Sequence, residues 1–322
     1  LHRRRHSFPT RRSSDLTRQR IQEIARELNY SVDKNASSLR SQRSHTIALL
    51  FFEDPTPDGA NINPFFLAML GAITRATANR GLDLLISFQK MEDDWHTRYQ
   101  DSHRADGLIL LGYGDYTLYT QRLTELVEHD TRFVRWGSVE AEKFGSTVGT
   151  DNVAAGRLAG EHLLGLGRKR IAFIGQADEH YPEFADRYRG LEQALAAAGL
   201  AADPDLQVAA LSSEGDGRAA IETLLARGAQ FDAVFAASDL IAIGAMRALA
   251  EAGRKVPDEV AVMGFDDIPA ASLTSPPLTT IQQDLIAAGE LLVETLAEQI
   301  ESRESANRVL APRLMVRGST AG

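Results

Sequence analysis

No cysteine occurs anywhere in the 322 residues. That excludes disulfides, thiolate metal sites and cysteine nucleophiles, and it fits a reducing compartment, so we expect a cytoplasmic protein. Long apolar runs are missing too: none approaches the roughly 20 residues that a membrane helix needs, and no membrane partner is expected. The sequence holds no GxxxxGK[ST] phosphate loop, no HExxH zinc helix, no GxSxG nucleophile elbow and no GxGxxG opening a helix after a strand. These absences argue against an enzyme, and neither a catalytic residue, a metal site nor a cofactor is assigned.

Positive charge is scarce over most of the chain and concentrated at its start. Residues 1–46 carry eleven Arg or Lys against four Asp or Glu, net +7, whereas the remaining 276 residues carry 24 against 40, net -16. A basic head on an acidic body is what nucleic-acid binding asks for, because phosphate contacts need localised positive charge. A disordered basic tail gives the same count, and motifs must separate the two.

From Ile47 onward a strand-like run, a turn and an amphipathic stretch recur. "TIALLFF", "LDLLISF", "DGLILLG", "RFVRWG", "RIAFIGQ", "DAVFAAS" and "VAVMGFDD" read as strands, and stretches such as "FFLAMLGAITRATANRG" read as helices. Such alternation builds parallel sheets covered on both faces, and about a dozen elements are too many for one small sheet. The expected fold class is α/β, with two doubly wound parallel-sheet lobes and a ligand crevice at the carboxyl ends of the strands. "STVGTDNVAAGRLAGEHLLGLG" and the proline-rich "SPPLTTIQQD" read as crossings between the lobes. In "GFDD" the paired carboxylates serve to cap a helix or to bond a polar ligand rather than to hold a metal.

Before Ile47, "TRQRIQEIARELNY" places Ile21, Ile24, Ala25 and Leu28 on one helical face, with Arg18, Arg20 and Arg26 elsewhere. The polar, basic "SVDKNASSLRSQRSH" that follows contains one isolated apolar residue, Leu39.

The blocks "DNVAAGRLAGEHLLGLGRKRIAFIG", "DRYRGLEQALAAAG", "VPDEVAVMGFDDIP", "PPLTTIQQD" and "LAPRLMVRGST" resemble the LacI/GalR family of bacterial transcription regulators, in register from about Thr17 to Ser319. The resemblance implies a periplasmic-binding-protein-like core preceded by an all-α DNA-binding head and a hinge helix. It implies a homodimer that binds operator DNA, and a repressor of carbohydrate genes controlled by a small sugar between the lobes. A sugar-binding protein for uptake is the alternative; residues 1–16 lack the apolar h-region such a protein would carry. On the resemblance, residues 17–46 hold a remnant of the head (its third helix) and the hinge helix, and 47–322 form the effector-binding and dimerisation core. Within the core, one lobe spans about 47–148 plus 284–308 and the other about 149–282 plus 309–322. "NASSLRSQ" resembles the hinge helix, which implies that Leu39 wedges into the minor groove, with Ala36, Ser37 and Arg40 also against the DNA. Val32 stands where the family usually has proline, and Trp136 with Gly137 replaces a common Asp.

A sugar offers hydroxyls that donate and accept, plus an apolar C–H face, so its pocket pairs a donor fork with carboxylates and an aromatic platform. The family positions supply such parts: Arg187 as the fork, Asp266 as the carboxylate, and Ser238 and Asp239 at a helix start. Gln283 sits at a crossing, and Asn63, Phe65, Phe66 and Trp136 lie on the other lobe. One of Phe65 and Phe66 must be core, and Trp136 either stacks on the sugar or fills space between the lobes.

Residues 1–16, "LHRRRHSFPTRRSSDL", stand where the family's first two helices belong. They carry five arginines, Pro9 and almost no apolar face, and they resemble translated sequencing-adapter readthrough joined near Thr17. A chain that starts this way is expected to bind effector but to fail at operator recognition.

Overall fold

The computed structural model describes Thr17, Gln19, Arg20, Glu23, Ile24, Glu27 and residues 43–322 except 53–61, 90–93, 96, 113, 140–143 and 322. The chain divides into two units, 1–44 and 45–322. In the first, the described residues between 17 and 27 are helical, as their apolar spacing predicts, and Ile24 is about half exposed. Ala36, Ser37, Leu39 and Arg40, read above as DNA contacts, lie outside the described residues.

In the second unit, β1 (Thr46–Phe52), β2 (Asp83–Gln89), β3 (Gly107–Leu111), β4 (Phe133–Trp136) and β5 (Ser146–Thr150) alternate with α1 (Pro64–Asn79) and α2 (Tyr116–Glu128). Next come α3 (Asn152–Gly165), β6 (Ile171–Ile174), α4 (Pro182–Ala197), β7 (Gln207–Val208) and α5 (Glu214–Ala226). They are followed by β8 (Ala233–Ala236), α6 (Asp239–Glu251), β9 (Ala261–Asp266), β10 (Thr279–Gln282), α7 (Leu285–Ser302), β11 (Asn307–Leu310) and β12 (Arg313–Met315). Two six-stranded sheets result, ordered β11-β5-β4-β3-β1-β2 and β12-β10-β9-β8-β6-β7. Every pairing in them is parallel except that of β12 with β10.

The chain leaves the first sheet after β5, returns through α7 after β10, and enters the second sheet again between β11 and β12. It therefore crosses between the lobes three times. Strands flanked by helices on both faces need no polar side, which is why β1 and β3 are continuous apolar runs buried along almost their whole length.

The segments with "STVGT" and "LTTIQ", read as crossings, do lead into crossings, and each also contains a strand paired on both sides, β5 and β10. Their polar side chains hid them, since Ser146, Thr147, Thr150, Thr279 and Thr280 are all buried. Hydroxyl partners offset that burial: Thr280 Oγ1 donates to Asp239 Oδ1 at 2.6 Å and Thr150 Oγ1 to Gln283 Oε1 at 2.7 Å.

The helix starts are fixed by side-chain caps. Asn63, Asp115, Asp151, Ser238 and Asp284 each accept a first-turn backbone N–H. α3 and α4 pack closely because Gly156 and Gly190 have no side chain at their crossing. A Cβ on Gly156 would lie 1.9 Å from the Arg187 carbonyl oxygen, and one on Gly190 would lie 2.1 Å from that of Val153. Among the described residues no helix is long and apolar enough to cross a membrane.

Candidate functional site

The carboxyl ends of β4, β5, β8, β9 and β10 carry the polar residues that tie one lobe to the other. Arg187, on the second turn of α4, is buried. Its Nε donates to Asn152 Oδ1 at 2.9 Å, its Nη1 donates to the Ala237 carbonyl, and its guanidinium carbon lies 3.4 Å from the Phe265 ring centroid. Burial pulls its pKa down while Asp266, Glu183, Asp186 and Asp239 oppose the shift. A cation held this deeply is costly to desolvate, and it favours any acceptor that enters the cleft.

Asp266 ends β9 with φ at 113°, and Asp267 follows at 56°. Two consecutive non-glycine residues in the left-handed region mark a backbone held by its surroundings rather than by its own preference. The holders are visible: Asp267 accepts from Arg317 Nη2 and from Gln282 Nε2, and Asp266 Oδ1 accepts from Gln283 Nε2 at 2.8 Å. Burial lifts the Asp266 carboxyl to about 6, against the pull of Arg187 and the Gln283 hydrogen bond. Gln283 thus spans Asp266 and Thr150 and links both sheets where the chain crosses.

On one edge of the cleft, Asn63 Nδ2 donates to Ser212 Oγ at 3.3 Å, and Ser212 Oγ donates to Ser238 Oγ at 2.8 Å. On the opposite edge Ser138 joins the lobes, its N–H donating to Glu183 Oε1 at 2.8 Å and its hydroxyl to Asp186 Oδ2 at 2.6 Å. Beside it His180 Nδ1 sits 2.9 Å from Asp115 Oδ2, and the Tyr116 N–H donates to the His180 carbonyl. The lobes are closed on each other along both edges.

Three of the expected residues are engaged within the protein. Asp239 has no exposed surface, and its two oxygens accept from Thr280 Oγ1 and the Ile268 N–H. It anchors β10 and the loop after β9, and burial followed by the Asp266 charge drives its pKa well above the ordinary value. Phe65 and Trp136 pack together in the core with ring centroids 6.1 Å apart. Phe66 is only partly buried beside Phe65, and it is the ring of the pair available at the surface.

The residues that sequence reasoning did not single out are Asn152, Thr150, Ser212, Ser138 and Glu183. Asn152 had a signal, the "DN" opening α3; the others are ordinary polar residues brought together only by the closed lobes.

Residues 161–320 match the model of the periplasmic binding protein-like domain. The chain is 32% identical over 310 residues to the HTH-type transcriptional regulator CelR of Thermobifida fusca, covering 95% of this chain and 90% of that protein. It is 29% identical over 307 residues to the ribose operon repressor of Escherichia coli K12, covering 93% and 89%. Among solved structures, a CelR–cellobiose complex superposes with a TM-score of 0.76 at 30% identity, covering 94% of this chain and 90% of that one. A transcriptional regulator of the LacI family from Sanguibacter keddieii does so with 0.72 at 33% identity, covering 87% and 100%.

Proposed function

The chain belongs to the LacI family of transcriptional regulators, and from that premise we propose that a neutral saccharide, bound between its lobes in the cytoplasm, controls its repression of carbohydrate genes. The observation that carries this reading is the buried Arg187 guanidinium, flanked by Asp266 and stacked on Phe265. A fixed donor and a carboxylate acceptor are the polar contacts a sugar needs, and the partly buried Phe66 offers the apolar ring. The cellobiose in the similar CelR complex supports a saccharide. Arg187 and Asp266 meet the effector directly, with Ser238, Asn63 and Phe66 at its rim. Gln283 positions Asp266, and Asp239, Phe65 and Trp136 support the walls.

Residues 17–46 are assigned to the head remnant and hinge helix, with Ala36, Ser37, Leu39 and Arg40 on operator DNA, and residues 47–322 to the effector core, which forms a homodimer. Effector selects one closure of the lobes, and that closure sets the spacing of the two DNA-binding heads in the dimer. A coupling of about 1–3 kcal/mol changes operator affinity roughly 5- to 150-fold.

The test is a thermal-shift screen of the full chain against mono- and disaccharides, repeated with Arg187→Ala. A saccharide that stabilises the wild type and fails to stabilise the variant is expected. A shift that survives the substitution overturns the assignment of the cleft. With a complete helix-turn-helix head joined to residues 17–322, added sugar weakens operator binding in a regulator that its sugar releases from DNA; tightening would make the sugar a corepressor.

A further inference from the structure

Arg317 lies two residues beyond β12 and is tied to the start of β10 by its backbone as well as its side chain. Its N–H donates to Thr279 Oγ1 at 2.8 Å, and its carbonyl accepts from the same hydroxyl at 2.9 Å. The guanidinium divides between two acceptors, Nη1 donating to the Leu278 carbonyl at 2.9 Å and Nη2 to Asp267 Oδ1 at 2.5 Å. Both side chains of this ion pair are mostly buried, with 20% of Arg317 and 11% of Asp267 exposed. None of Leu278, Thr279 and Asp267 is assigned to the effector.

What the ion pair holds is the turn at the end of β9. Asp266 and Asp267 both have positive φ, at 113° and 56°, and L residues leave that region unless their surroundings forbid it. Three side chains forbid it here. Arg317 and Gln282 each occupy one oxygen of Asp267, and Asp239 Oδ2 accepts from the Ile268 N–H at 2.8 Å. The carboxylate of Asp266 is itself held by Gln283 Nε2 at 2.8 Å. A bond at the tip of a side chain does not fix the φ of its own residue; the clamps on the next two residues do.

We propose that Arg317 is a positioning residue for the effector: through Asp267 it holds the turn that aims the Asp266 carboxylate into the cleft. The inference rests on the reading of Asp266 as a saccharide ligand. An arginine suits the task because its planar fork serves the Leu278 carbonyl and Asp267 with separate N–H groups at fixed spacing. Once the fork is gone, the turn relaxes towards negative φ. The Asp266 carboxylate then leaves the place where Arg187 and Gln283 support its charge.

The clamp also reaches the passages between the lobes. Arg317 follows β12, the strand that the chain enters at its third passage, and Gln282 ends β10, where the second passage begins. The two strands are paired, with Gln282 opposite Arg313. Asp267 is thus bonded from both passages, and the position of the effector carboxylate follows the strands that join the lobes.

The test is calorimetric titration of the full chain with the tightest-binding saccharide from the screen and with each of its monodeoxy derivatives. Wild type is compared with Asp266→Asn and Arg317→Gln, each checked for folding by circular dichroism. Asp266→Asn identifies the hydroxyl that Asp266 holds: the derivative lacking it loses affinity on wild type and little on the variant. We expect Arg317→Gln to bind the parent sugar about 5- to 30-fold more weakly. That loss should fall on the same hydroxyl, so the derivative lacking it binds wild type and Arg317→Gln alike, while the losses of the other derivatives are unchanged. If Arg317→Gln does not fold, Asp267→Asn takes its place with the same expected pattern, since asparagine tolerates positive φ.

If Arg317→Gln binds the parent sugar within twofold of wild type, the positioning role is refuted and the saccharide reading stands. If it weakens the parent and every derivative by the same factor, its role is structural only and the inference is refuted likewise. If Asp266→Asn alters no deoxy loss, Asp266 is not a ligand and the inference falls with that assignment. If no saccharide binds the wild type at all, the saccharide reading fails and takes this inference with it.

Discussion

The guanidinium carbon of Arg187 lies 3.4 Å from the centroid of the Phe265 ring, so the cation is stacked on an apolar face while its Nε is held by Asn152. The stack, together with the bond from Nη1 to the Ala237 carbonyl, holds the fork in place before any ligand arrives.

Replacing Arg187 by methionine should cost both folding and binding. Removing the cation leaves Asp266, Glu183 and Asp186 without its charge, the costly case of a buried pair that loses one partner, at about 3–5 kcal/mol. The unliganded Tm should fall by about 5–15 °C. The effector should lose about 1.5–3 kcal/mol of charge-assisted hydrogen bonding, roughly 10- to 150-fold in Kd by calorimetry. A Kd within threefold of wild type would contradict the assignment.

Effector affinity should depend on pH through Asp266. Its carboxyl titrates near 6, and the ionised form is the better acceptor for sugar hydroxyls. Kd measured between pH 5 and pH 7.5 should fall as pH rises, and Asp266→Asn should bind more weakly and flatten the profile. A profile unchanged by the substitution would assign the titration elsewhere.

Stability of the unliganded core should run the other way. Glu183 is raised by burial to about 7 from an ordinary 4.5, so between those values the folded state holds the extra proton and stability falls as pH rises. The Asp115 hydrogen bond raises His180 above 6.5; this contribution is complete below 6.5 and is lost as pH rises through the higher folded value. Burial raises Asp115, but the bonds from Thr117 and His180 outweigh it and leave the carboxyl lowered, so its contribution is lost only in acid below 3.8. Calorimetric Tm should therefore decrease from pH 5.5 to pH 8, and the double variant Glu183→Gln, His180→Asn should decrease less steeply.

Gly156→Ala should damage both folding and binding. Its methyl carbon would meet the Arg187 carbonyl at 1.9 Å, so α3 and α4 must separate, at a cost of about 1–3 kcal/mol. That corresponds to a Tm lower by about 3 to 10 °C, with weaker effector binding because the Arg187 backbone moves. Gly165→Ala is the control: its Cβ meets nothing within 4 Å, and Tm should not fall by more than about 1 °C. Equal effects of the two substitutions would show that helix propensity, not contact, governs this pair.

Strand and helix alternation was legible because short apolar runs such as "TIALLFF" and "DGLILLG", set between turns and longer amphipathic stretches, fit strands buried on both faces. Of the five strands that escaped, "STVGT" and "TTIQ" are equally buried but satisfied by hydroxyl bonds, and no periodicity records that. Arg187, Asp266 and Gln283 were readable from motif positions. Ser138 and Glu183 were not, since ordinary polar residues signal nothing until the closed lobes bring them together. Asp239, a helix-start aspartate beside the cleft, suits a cap or hinge as well as a ligand, and its oxygens accept from Thr280 and Ile268.

The three passages of the chain between the sheets have a consequence for synthesis. The first sheet needs β11 at its edge and the helix α7 over its face, both made only after the second sheet's first five strands have left the ribosome. The second sheet in turn closes only with β12, at residues 313–315. Neither lobe can be finished while the other is absent, so an emerging chain carries two incomplete sheets with open edges until almost its last residues. Chaperone dependence and aggregation during expression should therefore concentrate in nascent chains stalled before residue 307, rather than in the finished protein.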